Sequence, residues 1–203
     1  MIPIQSLEDI EGLIKNQIEE SLTLEYKEEM GNKSSDIAQD ISAFANTSGG
    51  IIIYGIKEDK EDGQKPISIN WLEGINTKER LENIILSNIQ PRLRDVIINP
   101  ISKPDNSSQA IFVVNIPESP DAPHMANHRY YRRYNFQSIP MEDYEVKDAI
   151  FRKGLKESLH FEIRKNIELC ILSLKFIEKI YRVNPEQRRQ SFLYRFIQML
   201  GIQ

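Results

Sequence analysis

Six consecutive residues, Arg129 to Tyr134, are all arginine or tyrosine. Arginine grips a phosphate through paired N–H donors and tyrosine stacks on an unpaired base, so the stretch has the chemistry of a nucleic-acid contact. On an alternating strand Arg129, Tyr131 and Arg133 share one face, opposite Tyr130, Arg132 and Tyr134, so one face can bind backbone while the other packs. A tyrosine-rich edge strand kept soluble by arginines has the same spelling. No carboxylate falls between Asp121 and Glu142. Acid gathers at the other end. Residues 1–62 carry 14 acidic and five basic side chains, and residues 63–203 carry 16 and 21, within a net charge of −4. Such segregation can set a metal-binding acidic cluster beside a phosphate-binding basic surface, or folding can scatter it into a neutral mosaic. The net charge itself argues against indiscriminate nucleic-acid binding.

Two further patterns bear on chemistry. His124 and His128 are four apart, a zinc-binding spacing on a helix, but Pro123 and the polar residues around them argue against a helix, and no cysteine is near. No zinc site is expected. The glycine pair in Ser48-Gly49-Gly50-Ile51 lacks the Gly-Lys-Ser/Thr of a phosphate-cradling loop, so ATP binding is not expected either.

The elements that must hold these groups follow from periodicity. Ile37, Ile41, Phe44 and Ala45 repeat at helical spacing behind a Ser35 cap. Gly49 and Gly50 end that helix, and Ile51 to Ile56 is a short, apolar, β-branched central strand. Asn46 and Thr47 fall where the turn either faces a ligand or caps the helix end. Ser6 with Asp9 spells a capping box before the stripe Leu7, Ile10, Ile14 and Ile18. Leu22 to Tyr26 reads as a short strand with Glu25 and Lys27 on one face. A helix capped by Thr77 carries Leu81, Ile84, Ile85 and Ile89 and stops at Pro91. Strands are expected over Val96–Ile101, Ala110–Ile116 and Arg129–Tyr134, then a helix over Pro140–Lys153. Beyond Gly154 the texture turns helical throughout. Ile163, Ile167, Cys170, Leu174 and Ile177 form a stripe of near-heptad rhythm that packs on its own domain or dimerises. Pro185 precedes a last helix ending near Leu200. The pattern predicts an α+β fold, a mixed β-sheet packed with helices, with a domain over 1–153 and a helical extension over 154–203.

No run approaches the ~20 apolar residues of a membrane span, and the N-terminus has no secretory core. The single cysteine, Cys170, excludes an internal disulfide. A soluble, cytoplasmic protein is expected.

The run Ile41 to Ile56, ISAFANTSGGIIIYGI, resembles the signature of the Schlafen AlbA-type nucleic-acid-binding domain. Glu20-Ser21-Leu22-Thr23-Leu24-Glu25-Tyr26-Lys27 is similar to that family's acidic stretch ending in Glu-aromatic-Lys. Tyr130-Tyr131-Arg132-Arg133, ahead of Ser138-Ile139-Pro140-Met141, resembles its late Tyr-Arg strand. The three occur in family order, cover about residues 5–153, and suggest a single-lobe, prokaryotic-like member.

The resemblance implies a function and a site. Nuclease members of the family use three acidic residues with a divalent metal, and these map onto Glu20, Glu25 and Glu58. The family has aspartate at the third position, so neighbouring Asp59 is an alternative ligand. Residues five apart converge only if the backbone turns between them, which a helix ending near Glu20 and a strand starting near Leu22 would allow. Oxygen ligands suit Mg²⁺ or Mn²⁺. Lys27 would neutralise the scissile phosphate, and Arg129, Tyr131, Arg132 and Arg133 would hold nucleic acid. Asn46, Thr47, Gly49 and Gly50 would shape the turn beneath. The implied activity is a metal-dependent endoribonuclease on structured RNA such as tRNA, with RNA favoured and DNA possible. Larger Schlafens embrace RNA between two lobes, so a homodimer is expected here. The alternatives are a non-catalytic DNA- or RNA-binding module of a regulator, and a protein-interaction domain working through its C-terminal helices.

Overall fold

The computed structural model of the chain describes residues 4–59, 64–74 and 76–183. In chain order the elements are α1 (Leu7–Lys15), β1 (Leu24–Lys27), α2 (Ser34–Ala45), β2 (Gly50–Tyr54), β3 (Ile56–Asp59), β4 (Lys65–Ile69) and β5 (Leu72–Glu73). They continue with α3 (Thr77–Asn88), β6 (Ile89–Gln90), β7 (Ile97–Lys103), β8 (Asn106–Ile116), β9 (Met125–Ala126), β10 (Arg129–Tyr134), β11 (Gln137–Pro140) and α4 (Asp143–Val183). The chain divides into two compact units, Met1–Lys153 and Gly154–Gln203.

The first unit is α+β. Its central sheet has the order β1-β2-β8-β5, with β7 also paired to β8. The β1–β2 pairing is parallel and the pairings of β8 are antiparallel. Parallel strands need a crossover, and α2 supplies it. Because side chains alternate along a strand, β2 and β8 feed two separate cores. Ile51, Ile53, Ile111 and Val113 point to one face, where Leu7, Ile10, Leu13 and Ile14 of α1 pack with Tyr26. Ile52, Tyr54, Phe112 and Val114 point to the other, against Ile37, Ile41 and Phe44 of α2 and Leu81, Ile84 and Ile85 of α3. Burial on both faces explains why β2 reads as an unbroken apolar run rather than an alternating one. Each buried isoleucine contributes about 2 kcal/mol, so β2 is the hydrophobic centre of the unit.

A second sheet, β11-β10-β9-β6, is antiparallel throughout. Its residues Ala126 and Tyr131 join the core on the α2 side, so α2 is sandwiched between the two sheets. A third pair, β3–β4, carries a register shift at Lys57/Glu58.

The local signals account for most boundaries. Ser6 caps α1 in a reciprocal box: its Oγ accepts the Asp9 N–H at 3.2 Å and the Asp9 carboxylate accepts the Ser6 N–H at 2.9 Å. The α2–β2 junction needs its glycines. Gly49 has φ 65° and Gly50 φ 148°, and a Cβ on Gly50 would collide with the Thr23 carbonyl and the Phe44 ring.

Several boundaries differ from expectation. Thr77 is not the cap of α3, whose N-cap is Asn76, and Ile89 lies past the helix in β6. Helix α1 ends at Lys15, before Ile18, and β1 begins at Leu24. The N-cap of α2 is Lys33, without a side-chain cap, and the Ser35 hydroxyl turns instead to the Asp36 carboxylate at 3.0 Å. The helical stretches expected on either side of Gly154 form one helix, Asp143–Val183. An isolated glycine costs about 1 kcal/mol in a helix interior, too little to end one whose neighbours are good helix formers. In the second unit Leu155, Leu159, Ile163, Ile167 and Leu174 are exposed, as are Phe161, Ile171, Leu172 and Phe176. The helix expected after Pro185 lies outside the described residues.

Substituting Gly50→Ala should cost about 2 kcal/mol or more, because the backbone angle and the Thr23 carbonyl both resist a Cβ. A lowered thermal midpoint for this variant is the expected result, with Gly12→Ala, in open space within α1, level with or above the native protein.

Candidate nucleic-acid interface and its buried charge cluster

The acidic stretch and the arginine strand meet inside the protein. Glu25 of β1 is 3% exposed, Arg133 of β10 is 2% exposed, and the Arg133 Nη1 donates to Glu25 Oε2 at 2.5 Å. The other Glu25 oxygen pairs with the Lys27 ammonium two residues on, the same-face neighbour that strand alternation dictates. Lys27 also lies 3.8 Å from Asp40 of α2. Arg133 stacks its guanidinium 4.4 Å from the Phe44 ring centroid and reaches Ser138 Oγ and the Ser21 carbonyl at 3.4 Å. Two acids and two bases therefore form a neutral cluster where β1, α2 and β10 converge. Pairing is what makes burial tolerable, since either charge alone would cost several kcal/mol.

Around this cluster the protonation balances are shifted. Burial raises the Glu20 carboxyl to about 7; the Tyr26 N–H at 2.6 Å opposes this, while the charges of Glu58 and Glu25 add to it. Burial also raises Asp40 to about 6, with Glu25 adding and Lys27, Ser138 and Arg133 opposing. Burial works against the Lys27 charge, but Glu25, Asp40 and Glu20 outweigh it and hold the ammonium above its ordinary range. The Tyr54 hydroxyl is buried without a hydrogen-bond partner in the described residues, its pKa pushed up by burial and by Asp40 and Glu25. The register shift in β3 falls beside Glu58, and a bulge re-aims the side chain next to it.

A divalent metal would need carboxylate oxygens from three residues turned toward one point. Among the described residues no three His, Cys, Asp or Glu side chains form such a group. Both Glu25 oxygens face cations and one Glu20 oxygen accepts a backbone N–H. The set Glu20, Glu25, Glu58 and Asp59 does not fit a metal in this arrangement, although Glu20 lies close enough to Glu58 and Glu25 to feel their charge.

The arginine strand splits differently from a simple binding face. Tyr131 and Arg133 point inward and pack, which takes both out of the surface. Arg132 is partly exposed, with its Nε 2.7 Å from Glu145 Oε1 but off the angle of a hydrogen bond. Arg129 is exposed and has no ion-pair partner among the described residues.

The turn residues are fully engaged within the fold. Asn46 Nδ2 donates to the carbonyls of His124 and Tyr131, both at 2.8 Å, and its Oδ1 accepts the His124 N–H at 2.6 Å. Thr47 Oγ1 donates to the Ala43 carbonyl and accepts the Arg133 N–H at 3.0 Å. These residues latch the end of α2 to the second sheet and offer no group to a ligand. His124 is buried with both ring nitrogens occupied, Nδ1 at 2.7 Å from the Pro91 carbonyl and Nε2 at 2.7 Å from Ser119 Oγ. Burial lowers its pKa, so it packs as a neutral imidazole.

Asp40, Ser138 and Tyr54 went unread in the sequence. A signal for Asp40 existed: it lies three residues after Ile37 and four before Phe44, so a carboxylate stands on the buried face of α2.

The family model described as Schlafen, AlbA_2 matches residues 20–142, from Glu20 beside the cluster through β11. The chain belongs to the Schlafen AlbA_2 family. Membership indicates nucleic-acid binding. No curated protein sequence matches the chain. Among solved structures, one similar fold is a Corynebacterium diphtheriae protein, 18% identical with TM-score 0.43, covering 67% of this chain and 26% of that one. Another is the N-terminal domain of an ATP-dependent DNA helicase RecG-related protein from Nitrosomonas europaea, 17% identical with TM-score 0.49, covering 69% of this chain and 92% of that one. The chain spans about a quarter of the length of the first.

Two outcomes follow from the cluster. Arg133→Ala should cost roughly 3–5 kcal/mol in urea unfolding, and Arg133→Met with Glu25→Leu should recover much of it, because the penalty is an unpaired buried charge. Glu25→Ala therefore reads out folding before it reads out any activity. Glu20, folded, titrates near 7 against an ordinary 4.5. A raised carboxyl pKa favours the fold below the unfolded value, and that contribution is lost as pH rises through 7. Glu20→Gln should thus gain stability over the native protein progressively between pH 4.5 and 7, levelling at about 2–3 kcal/mol.

Proposed function

We propose that this AlbA_2 domain binds the nucleic-acid backbone without needing a metal, with Lys27 and Arg129 as the phosphate contacts and Arg132 assisting. The observation that carries the reading is that Lys27, 39% exposed at its side chain, is the most exposed member of a cluster whose charges balance only when Lys27 is counted, so its ammonium stands charged at the rim. Glu25 and Arg133 then serve as the frame that fixes Lys27 rather than as contacts. RNA is the favoured ligand and DNA the alternative.

A second reading is cleavage of structured RNA such as tRNA, supported by the crowding of Glu58 and Glu25 around Glu20. Mg²⁺ or Mn²⁺, once bound, would supply an activated water and neutralise phosphate charge. The side chains would first have to regroup, since Glu25 is held by Arg133 and Lys27, before Glu20 with Glu58 or Asp59 could hold the ion. A homodimer fits either reading, since the second unit leaves a long row of apolar side chains uncovered. No described helix is long and apolar enough to cross a membrane.

The experiment is a binding titration across salt with labelled tRNA and duplex DNA, in Mn²⁺ and in EDTA. Binding should persist in EDTA with the nucleic acid intact, and Lys27→Gln or Arg129→Gln should each lower the salt slope by about one. Metal-dependent cutting, abolished by Glu20→Gln with Glu58→Gln, would instead establish the nuclease. Affinity indifferent to salt would sink both readings.

A further inference from the structure

We propose that the tip of the β10–β11 hairpin is a base-stacking wedge that makes this domain prefer unpaired nucleotides. The proposal rests on the nucleic-acid-binding reading and adds the class of ligand.

Tyr134 and Gln137 are the last paired residues of the hairpin, leaving the two-residue turn Asn135-Phe136. Asn135 has φ 53°, a left-handed angle that asparagine tolerates and that such turns require. Phe136 answers no such demand. Neither Tyr134, 58% exposed, nor Phe136, 42% exposed, belongs to either core cluster. Two aromatic rings within three residues, packed on no core, are not explained by the stability of the hairpin. The Arg132 guanidinium lies 5.5 Å from the Tyr134 ring centroid, so the ring carries a cation beside it. No residue between Asp121 and Glu142 bears a negative charge. Exposed rings with an arginine beside one of them, on a hairpin that itself carries no carboxylate although Arg132 also meets Glu145, complement a polyanion with exposed π-faces, which is single-stranded nucleic acid.

Position argues the same way. One register step inward from Tyr134–Gln137 is the pair Arg133–Ser138, about 3.3 Å along the strand. Arg133 holds Glu25, and Glu25 holds Lys27. Gln39, next to Asp40, donates to the Ser138 carbonyl at 3.3 Å. The tip therefore adjoins the pair that anchors the second sheet, while the Tyr134 side chain shares the Arg132 face of β10, away from the buried charges. A paired base presents no free face to such a wedge, so duplex would gain only the electrostatic contact.

The test compares fluorescence-anisotropy titrations of the full chain with a short oligothymidylate, an oligouridylate and a duplex of equal length. Tyr134→Ala with Phe136→Ala should weaken single-strand binding tenfold or more, leave duplex binding within about twofold, and leave the salt slope unchanged. Tyr134→Phe with Phe136→Tyr should retain single-strand affinity, because stacking survives the exchange. Both positions are exposed, so thermal midpoints should match the native protein. Equal loss on single strand and duplex, or no loss on either, overturns the wedge while leaving the backbone-binding reading intact. Binding of anionic lipid vesicles that depends on the two rings, without any nucleic-acid preference, overturns it as well. A native chain that binds no nucleic acid at all overturns the reading beneath it.

Discussion

The buried pair of Glu25 and Arg133 is the constraint on which the rest of the first unit depends. It joins β1 of the central sheet to β10 of the second sheet, and Phe44 of α2 lies against its guanidinium. A pair sealed this deeply carries a desolvation cost that its own attraction only roughly balances, so its value lies in geometry more than in net stability. Only one placement of β10 against β1 satisfies both charges at once. The Asn46 latch acts at the other end of α2, tying backbone groups of His124 and Tyr131 to the helix terminus. Between them the two contacts leave the second sheet little freedom to slide.

Lys27 gains its character from that frame. It shares Glu25 with Arg133, so its ammonium is held by an acid already half-satisfied, and it reaches the surface that Arg133 cannot. Charge is thus sorted by depth: the inner cation locks the fold and the outer one keeps part of its surface in solvent. Of the acids near this frame, Glu25 is turned inward, and Asp40 and Glu20 hold their protons more tightly than free carboxyls do.

How much of this the sequence revealed follows from the range of each interaction. The α2 helix, its double-glycine end and β2 were legible because periodicity, turn chemistry and β-branching act over a few neighbouring residues. The capping box of Ser6 and Asp9 was legible for the same reason. Alternation also showed that Tyr131 and Arg133 share a face, but not which face turns inward, since that depends on where α2 lies. The pairing of Glu25 with Arg133 was hidden altogether: an acid meant for a metal and an acid meant for an arginine look alike in one dimension. The short strands β5, β6 and β9 carry no pattern of their own and exist because longer neighbours offer them an edge.

Glu25 and Arg133 are separated by 108 residues. At a synthesis rate of about 5–20 residues per second, the acid would wait on the order of 5–20 s before its partner is even made. During that interval the parallel pairing of β1 with β2 brings Glu25 to a sheet edge with only Lys27 to offset its charge. The first half of the emerging polypeptide can therefore collapse on the Ile51–Ile53 centre, but it cannot close. Completion belongs to the arrival of β10, and a ribosome that stalls before that point releases an acid-rich intermediate rather than a smaller version of the domain.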